Sequence, residues 1–306
     1  MAAGTIKQKT LKAEIGCAGV ALHSGRKTSL TLKPAAENTG IRICRTDLLN
    51  GAREIVVNWD NVVDTRLATT VGNDHGSTVS TVEHLAAALA GCEIDNVLIE
   101  VDGPEIPIMD GSSAPFVFLI ECAGTVEQSA ARTAIKILKP VSVGDETRSL
   151  SILPAKEFSL AFEIDFDSSV IDRQERTFQR VGSEFKSDIA HARTFGFDHE
   201  VEALRNAGLA RGGSLENAVV VSGDKILNEG GLRFDDEFVR HKILDCVGDL
   251  YLAGGPVIGE VIASKSGHEL NNALLRAVFA DDDAWVRIDA PQSSDQQAAQ
   301  MVAAVA

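Results

Sequence analysis

The hydrophobic pattern runs through one order of elements twice, and this repetition restricts the folds open to the chain more than any other feature. From Ile6 to about Val71, short apolar alternations such as Ser29-Leu30-Thr31-Leu32 are broken by turns at Ser24-Gly25, Asn38-Thr39-Gly40 and Asn50-Gly51, which predicts a sheet. A helical pattern follows over Ser80 to Ala90, then a strand at Asn96 to Val101. After the turn Gly103 to Asp110 a second helix is predicted at Ala114 to Cys122. Beyond the polar stretch Gly124 to Thr133, read as the connector, strands begin again at Ala134 to Leu138, Ser149 to Leu153 and Phe158 to Phe166. A helix over Glu237 to Leu252, a strand over Val257 to Ser264 and a helix from His268 to Phe279 complete the second pass. In both passes the first helix is expected to open with a histidine, His84 or His241. The expected architecture is α+β: two similar domains, residues 1–130 and 131–306, each with helices packed on a mostly antiparallel sheet. Facing one another, they would place both histidines in one cleft. The 306 residues suit two domains of roughly 150 each.

Apolar residues at 44% and charged residues at 24% are globular values and exclude collagen-like or disordered chains. With 29 Lys and Arg against 44 Asp and Glu, the net charge of −15 argues against nucleic acid, because neutralising phosphates needs a basic face. The five cysteines are scattered, with no C-x-x-C pair, as expected of buried thiols in a reducing compartment. No apolar run approaches the ~20 residues of a membrane span. Lys7, Lys9 and Lys12 precede the apolar run Ile15 to Leu22, but Glu14 abuts it, so this segment reads as a strand rather than a signal peptide. A cytoplasmic monomer is expected. Two segments fall outside the repeat: an excursion at His191 to Gly213 carrying Phe195, Phe197, Val201, Leu204 and Leu209, and Gln296 to Ala306, read as a frayed helix or disordered tail.

Chemistry concentrates on a few side chains. His241 and Asp245 are spaced i, i+4, so on a helix they share a face, and Asp249 extends the stripe by a turn. Alone this describes an ordinary surface pair. His84 adds a second imidazole at the corresponding place in the first half, and two His with one Asp would bind zinc while leaving a position open for water, whose pKa the metal lowers to ~7. Glu83 beside it can act as general base, unless Ser80-Thr81-Val82-Glu83 is a capping box in which the carboxylate only caps its own helix. His268 follows Ser266-Gly267 at a helix start, where the dipole lowers its pKa unless a carboxylate such as Asp249 compensates. Lys242 and Lys265 flank the site and can meet a phosphate or an oxyanion. His23, at a strand end before a turn, is expected to face the cleft, whereas His75, His191 and His199 read as structural or surface residues.

Two His and a carboxylate also describe the Fe(II) triad of non-haem oxygenases, and a non-catalytic metal-binding module is a further alternative. The sequence, however, resembles the UDP-3-O-acyl-N-acetylglucosamine deacetylase family. The resemblance rests on Ser80-Thr81-Val82-Glu83-His84-Leu85, Ile106-Pro107-Ile108-Met109-Asp110-Gly111-Ser112, Ala192-Arg193-Thr194-Phe195-Gly196-Phe197, Val239-Arg240-His241-Lys242 through Asp245, Leu227-Asn228-Glu229, Gly231-Leu232-Arg233-Phe234 and Lys265-Ser266-Gly267-His268-Glu269-Leu270-Asn271-Asn272. It spans about Ile6 to Ala284. It implies two like α+β domains and a zinc amidase of lipid A synthesis in Gram-negative bacteria, acting on an acylated UDP-sugar. Zinc, with Fe2+ as a substitute, would fall on His84, His241 and Asp245, the base on Glu83, and the acid on His268 supported by Asp249. Thr194 and Lys242 would hold the oxyanion or substrate, and His23, Phe195 and Lys265 would contact substrate. The segment from Phe195 to Gly213 would form an apolar passage for the acyl chain, with its first-half counterpart near Asp64 to Thr70. Residues 66–70, Arg66-Leu67-Ala68-Thr69-Thr70, depart from members that carry cysteine or methionine there. Peripheral membrane contact through the acyl chain is a further expectation.

Overall fold

Two five-stranded sheets carry the repetition. This computed structural model describes residues 6–179, 181, 182 and 184–291, so the segment Gln296 to Ala306 lies outside the described residues. In the first sheet the strands Ile15–Val20, Lys27–Pro34, Val97–Val101, Ile41–Arg45 and Glu54–Val56 lie side by side in that order. Every neighbouring pair is antiparallel except Val97–Val101 with Ile41–Arg45. The second sheet runs Val141–Gly144, Ser149–Leu153, Glu260–Ser264, Ser159–Asp165, Arg173–Phe178, and its third and fourth strands again form the one parallel pair. A parallel pair needs a crossover, and a helix supplies it. In the first half α1 (Glu83–Gly91) precedes the central strand and α2 (Ala114–Ala123) follows it. In the second half, after the short α3 (Asp198–Asn206), α4 (Glu237–Tyr251) and α5 (His268–Phe279) take the same places. The architecture is α+β with the order of elements duplicated.

Alternation drives the strands: in Lys27–Pro34 the buried residues are Thr28, Leu30 and Leu32. The helices differ in what surrounds them. Every residue of α1 is buried, as is nearly every residue of α4, and the two helices pack on each other. Alanines let the chains approach, while Leu85 and Leu89, at 2% and 0% exposure, each contribute about 1.5–3 kcal/mol by burial. The contact is closest at Gly248, where a Cβ would lie 2.1 Å from the Glu83 carbonyl oxygen and 2.9 Å from its carbon. At the other end of the helix pair, Tyr251 Oη donates to the Ile94 carbonyl at 2.9 Å, and Arg132 Nε donates to Asp95 at 2.8 Å.

Three local readings change. The polar stretch Gly124 to Thr133 is no connector but the strand Thr125–Ala131, paired antiparallel with Lys7–Leu11; it is polar because its side chains are largely exposed. Gly259 interrupts the strand read over Val257 to Ser264, giving Val257–Ile258 beside Thr133–Ile137 and Glu260–Ser264 in the large sheet. His84 is in the first turn of α1, but His241 lies one turn into α4 rather than at its start.

Each half also carries a small three-stranded sheet, Val62–Asp64, Thr70–Gly72 and Thr78–Val79 ahead of α1, and Phe195–Phe197, Val219–Ser222 and Lys225–Ile226 ahead of α4. The excursion is the strand Phe195–Phe197 plus α3, none of whose residues is buried. Its root is clamped. Arg193 reaches Glu237 at 2.8 and 3.0 Å, and the same carboxylate accepts the backbone N–H groups of Arg193 and Arg233 at 2.9 and 2.7 Å. Gly111, at φ +87°, accepts the Thr194 N–H at 2.8 Å, and a Cβ there would meet the Asn217 carbonyl oxygen at 2.1 Å.

Two stability outcomes are expected. Gly248→Ala must separate two backbones, not displace a flexible side chain, and should lose about 1–3 kcal/mol or more in denaturant unfolding; an unchanged midpoint would mean the helices have slack. Burial raises the Glu237 carboxyl, but Arg193 and the backbone donors outweigh it and hold the carboxyl below its ordinary value. A depressed folded pKa gives stability that is present above the unfolded value of ~4.3 and is lost as pH falls through the folded one. Glu237→Gln should therefore be about 3–5 kcal/mol less stable at pH 7, where it leaves Arg193 unpaired, with the difference narrowing below about pH 4. A difference independent of pH would show that the carboxylate charge is not its source.

Candidate metal and proton-transfer site

Where α1 crosses α4, His84 and His241 meet edge to face with ring centroids 5.0 Å apart. The Nε2 atoms of His84 and His241 lie 3.5 and 3.4 Å from Asp245 Oδ1. These separations are long for hydrogen bonds, but close to the ~3.3 Å edge of a tetrahedron built on ~2.0 Å metal bonds. Asp245 Oδ1 is buried with no hydrogen-bond partner, an unusual condition for an ionised oxygen. The three residues fit a metal ion, and their donor atoms lie within 4.8 Å of one another.

The chain orients two of them, His241 and Asp245, through hydrogen bonds, whereas His84 Nδ1 is buried without a partner. His241 Nδ1 lies 3.1 Å from the Ala192 carbonyl, so Nδ1 carries the proton and Nε2 turns its lone pair inward. Burial pushes His241 down to about 4 despite Asp245, keeping it neutral as a ligand must be. Asp245 Oδ2 accepts from Lys242 Nζ at 2.7 Å, leaving Oδ1 for the cluster. Burial works against the Asp245 charge, yet His241 and Lys242 hold its carboxyl well below the usual range. Burial also opposes the Lys242 charge, and Asp245 raises it above the ordinary lysine value.

Glu83 and His268 flank the cluster. Glu83 Oε2 accepts the Thr69 N–H at 3.0 Å, and burial raises its carboxyl although His268 and His84 oppose the shift. The capping box does not form. Thr81 is left-handed at φ +59°, Val82 occupies the cap position without a side-chain bond, and Ser80 Oγ instead accepts from Thr70. His268 Nδ1 lies 2.8 Å from Asp249 Oδ2. Burial alone would depress His268, but Asp249 and Glu83 push it up to about 9, the compensation that its place at a helix start required. Asp249 further accepts Asn271 Nδ2 at 2.8 Å and Thr69 Oγ1 at 2.5 Å.

A cleft of about 250 Å³ opens over these groups. Its polar wall includes Glu83, His84, His241, Asp245 and His268, together with His23 and Thr194; Leu22, Leu67, Ala68 and Ile108 form an apolar side. His23 is positioned by Glu105, which accepts the backbone N–H groups of His23 and Ser24 at 2.7 and 2.9 Å. Both His23 ring nitrogens are buried without partners, and burial lowers its pKa. Lys242 and Asp249 stand one contact behind the cleft. Phe195 packs edge to face on His241 at 6.3 Å and on Phe238 at 5.0 Å. Lys265 is the outlier: its side chain is 41% exposed and pairs with Asp165 at 2.6 Å, away from the cleft lining. His75, His191 and His199 are exposed. Sequence reasoning did not single out Thr69, Asn271, Glu105 or the Ala192 carbonyl. Thr69 sat within the flagged stretch 66–70, but nothing in its local pattern marks its contacts.

The sequence matches the family model LpxC, UDP-3-O-acyl N-acetylglycosamine deacetylase, over residues 8–280. Among similar proteins, the UDP-3-O-acyl-N-acetylglucosamine deacetylase of Saccharophagus degradans is 53% identical over 282 residues, covering 92% of each chain. The proteins of the same name from Aliivibrio fischeri and Acidithiobacillus ferrooxidans are 52% and 51% identical, covering 92% and 93% of each chain respectively. Among the described residues no helix is long and apolar enough to cross a membrane. With nearly the whole chain matched, and with two histidines and an aspartate converging between its duplicated halves, this protein belongs to the UDP-3-O-acyl N-acetylglycosamine deacetylase family.

Proposed function

We propose that the protein is a zinc-dependent amidohydrolase that removes the acetyl group from UDP-3-O-acyl-N-acetylglucosamine, giving acetate and the free amine in lipid A synthesis. The observation that carries this reading is the unpartnered Asp245 Oδ1 facing the Nε2 atoms of two imidazoles, with Glu83 and His268 beside them. Zinc held by His84, His241 and Asp245 supplies Lewis-acid polarisation of the amide carbonyl and acidifies water; Fe(II) is the substitute the same ligands accommodate.

The chain's own residues carry the protons. Glu83, raised by burial and held through Oε2, takes the proton of the attacking water at Oε1. His268, kept protonated by Asp249, delivers a proton from Nε2 to the departing amine nitrogen. Its Nε2 is 3.9 Å from Glu83 Oε1, so the two groups lie side by side and can reach the same substrate atom from one side. Thr194, which lines the cleft with His241, donates to the developing oxyanion. Lys242 serves the Asp245 carboxylate, and the nucleotide falls to residues nearer the rim, among them Lys265. The acyl chain lies along Leu22, Leu67 and Phe195 toward the excursion. The protein acts as a cytoplasmic monomer whose acylated substrate brings it to the membrane surface.

The test is acetate release from UDP-3-O-acyl-N-acetylglucosamine by metal-stripped protein and by protein reconstituted with about one equivalent of zinc. Activity should appear only on reconstitution and be absent in His241→Ala. Glu83→Gln should retain zinc while losing about 100- to 10,000-fold in kcat. Folded, zinc-loaded wild type that releases no acetate would refute the reading, and a fully active Glu83→Gln would remove Glu83 as the base.

A further inference from the structure

Thr69 is 1% exposed, on the connection between the strands Val62–Asp64 and Thr70–Gly72, and does not line the cleft. All its polar groups are nevertheless engaged near the site. Its N–H donates to Glu83 Oε2 at 3.0 Å, its carbonyl accepts the Val82 N–H at 3.2 Å, and its hydroxyl donates to Asp249 Oδ1 at 2.5 Å. We propose that Thr69 is a positioning residue for the deacetylation, fixing the base Glu83 relative to the Asp249–His268 pair. The proposal rests on the roles given to Glu83 and His268 above.

The geometry assigns the hydroxyl a specific task. Asp249 Oδ2 is taken by His268 Nδ1 and Asn271 Nδ2, each at 2.8 Å, while on Oδ1 the Thr69 hydroxyl is the hydrogen-bond donor among the described residues. Without it the carboxylate is held on one side only and can turn about its Cβ–Cγ bond. The His268 ring, bonded to that carboxylate, would turn with it. On the other arm, the Thr69 N–H occupies Glu83 Oε2 and leaves Oε1 as the oxygen nearest His268 Nε2, at 3.9 Å. Base and acid come from different halves of the chain, and Thr69 contacts the base and the acid's carboxylate at once. A carboxylate only accepts, so the contact requires a donor: serine can supply it and valine, of nearly the same shape as threonine, cannot.

The experiment measures steady-state acetate release by zinc-loaded wild type, Thr69→Val, Thr69→Ala and Thr69→Ser, with zinc content and thermal unfolding in parallel. Thr69→Val should lose about 10- to 100-fold in kcat with KM within about threefold of wild type and zinc content unchanged. Thr69→Ser should recover to within about threefold of wild type. In a His268→Ala background Thr69→Val should cost less than about twofold, because the route through His268 is already gone. Wild-type kcat in Thr69→Val, a serine variant as slow as valine, or an equal loss in both backgrounds would each overturn the proposal. So would failure of the valine and alanine variants to fold beside a normal serine variant, which would make the role structural. If wild type itself releases no acetate, the functional reading fails first and this one with it.

Discussion

The backbone contact between α1 and α4 at Gly248 is the constraint on which the site depends. His84 and Glu83 project from one helix, His241, Asp245 and Asp249 from the other, and no side chain of either helix alone completes the set. The separation that crosses between the helices, 3.5 Å from His84 Nε2 to Asp245 Oδ1, needs the two backbones held close and in fixed register. Glycine on one helix and alanines on the other meet that requirement. Strands of the second sheet pack on α4, and apolar residues of both sheets share one buried core with the helix pair.

Packing alone does not make such a site stable, because it gathers titratable groups out of water. Isolated buried charges cost far more than folding can supply, so the groups are paired as they are buried. Lys242 answers Asp245, His268 answers Asp249, and Arg193 answers Glu237. Among the described residues, four of the seven buried side-chain atoms without a partner belong to residues of the cleft: one oxygen of Asp245, a nitrogen of His84 and both ring nitrogens of His23; the others are Thr28 Oγ1, Arg176 Nε and Trp285 Nε1. Polar groups without partners inside a protein mark places where something else is to bind.

The duplicated order of elements was legible because hydrophobic periodicity survives sequence divergence, and the helices at α1, α4 and α5 fall where the pattern placed them. The i, i+4 spacing of His241 and Asp245 fixed their common face, and the place of His84 in the other copy suggested their meeting. The resemblance to a family added the roles. Other features were hidden for physical reasons. A capping box is a local statement, and a left-handed Thr81 held by its surroundings overrode it. The strand Thr125–Ala131 looked like a linker because exposed ribbons need no apolar side. Thr69 is bound by contacts from residues far away along the chain, and no local pattern records such contacts. Lys265 has the charge for a phosphate, and its ion pair with Asp165 joins residues a hundred positions apart, which no local pattern records.

The distribution of the ligands between halves has a consequence for the unfolded chain. His84 and His241 are separated by more than half the length of the protein, so an ion held by both would act as a cross-link closing a very large loop. Such a clip restricts the disordered ensemble much as a long-range disulfide does, in a chain whose five cysteines are all free. The same three side chains would then serve as the fastening of the two copies to each other, and loss of the ion would loosen the protein at the seam where its chemistry is done.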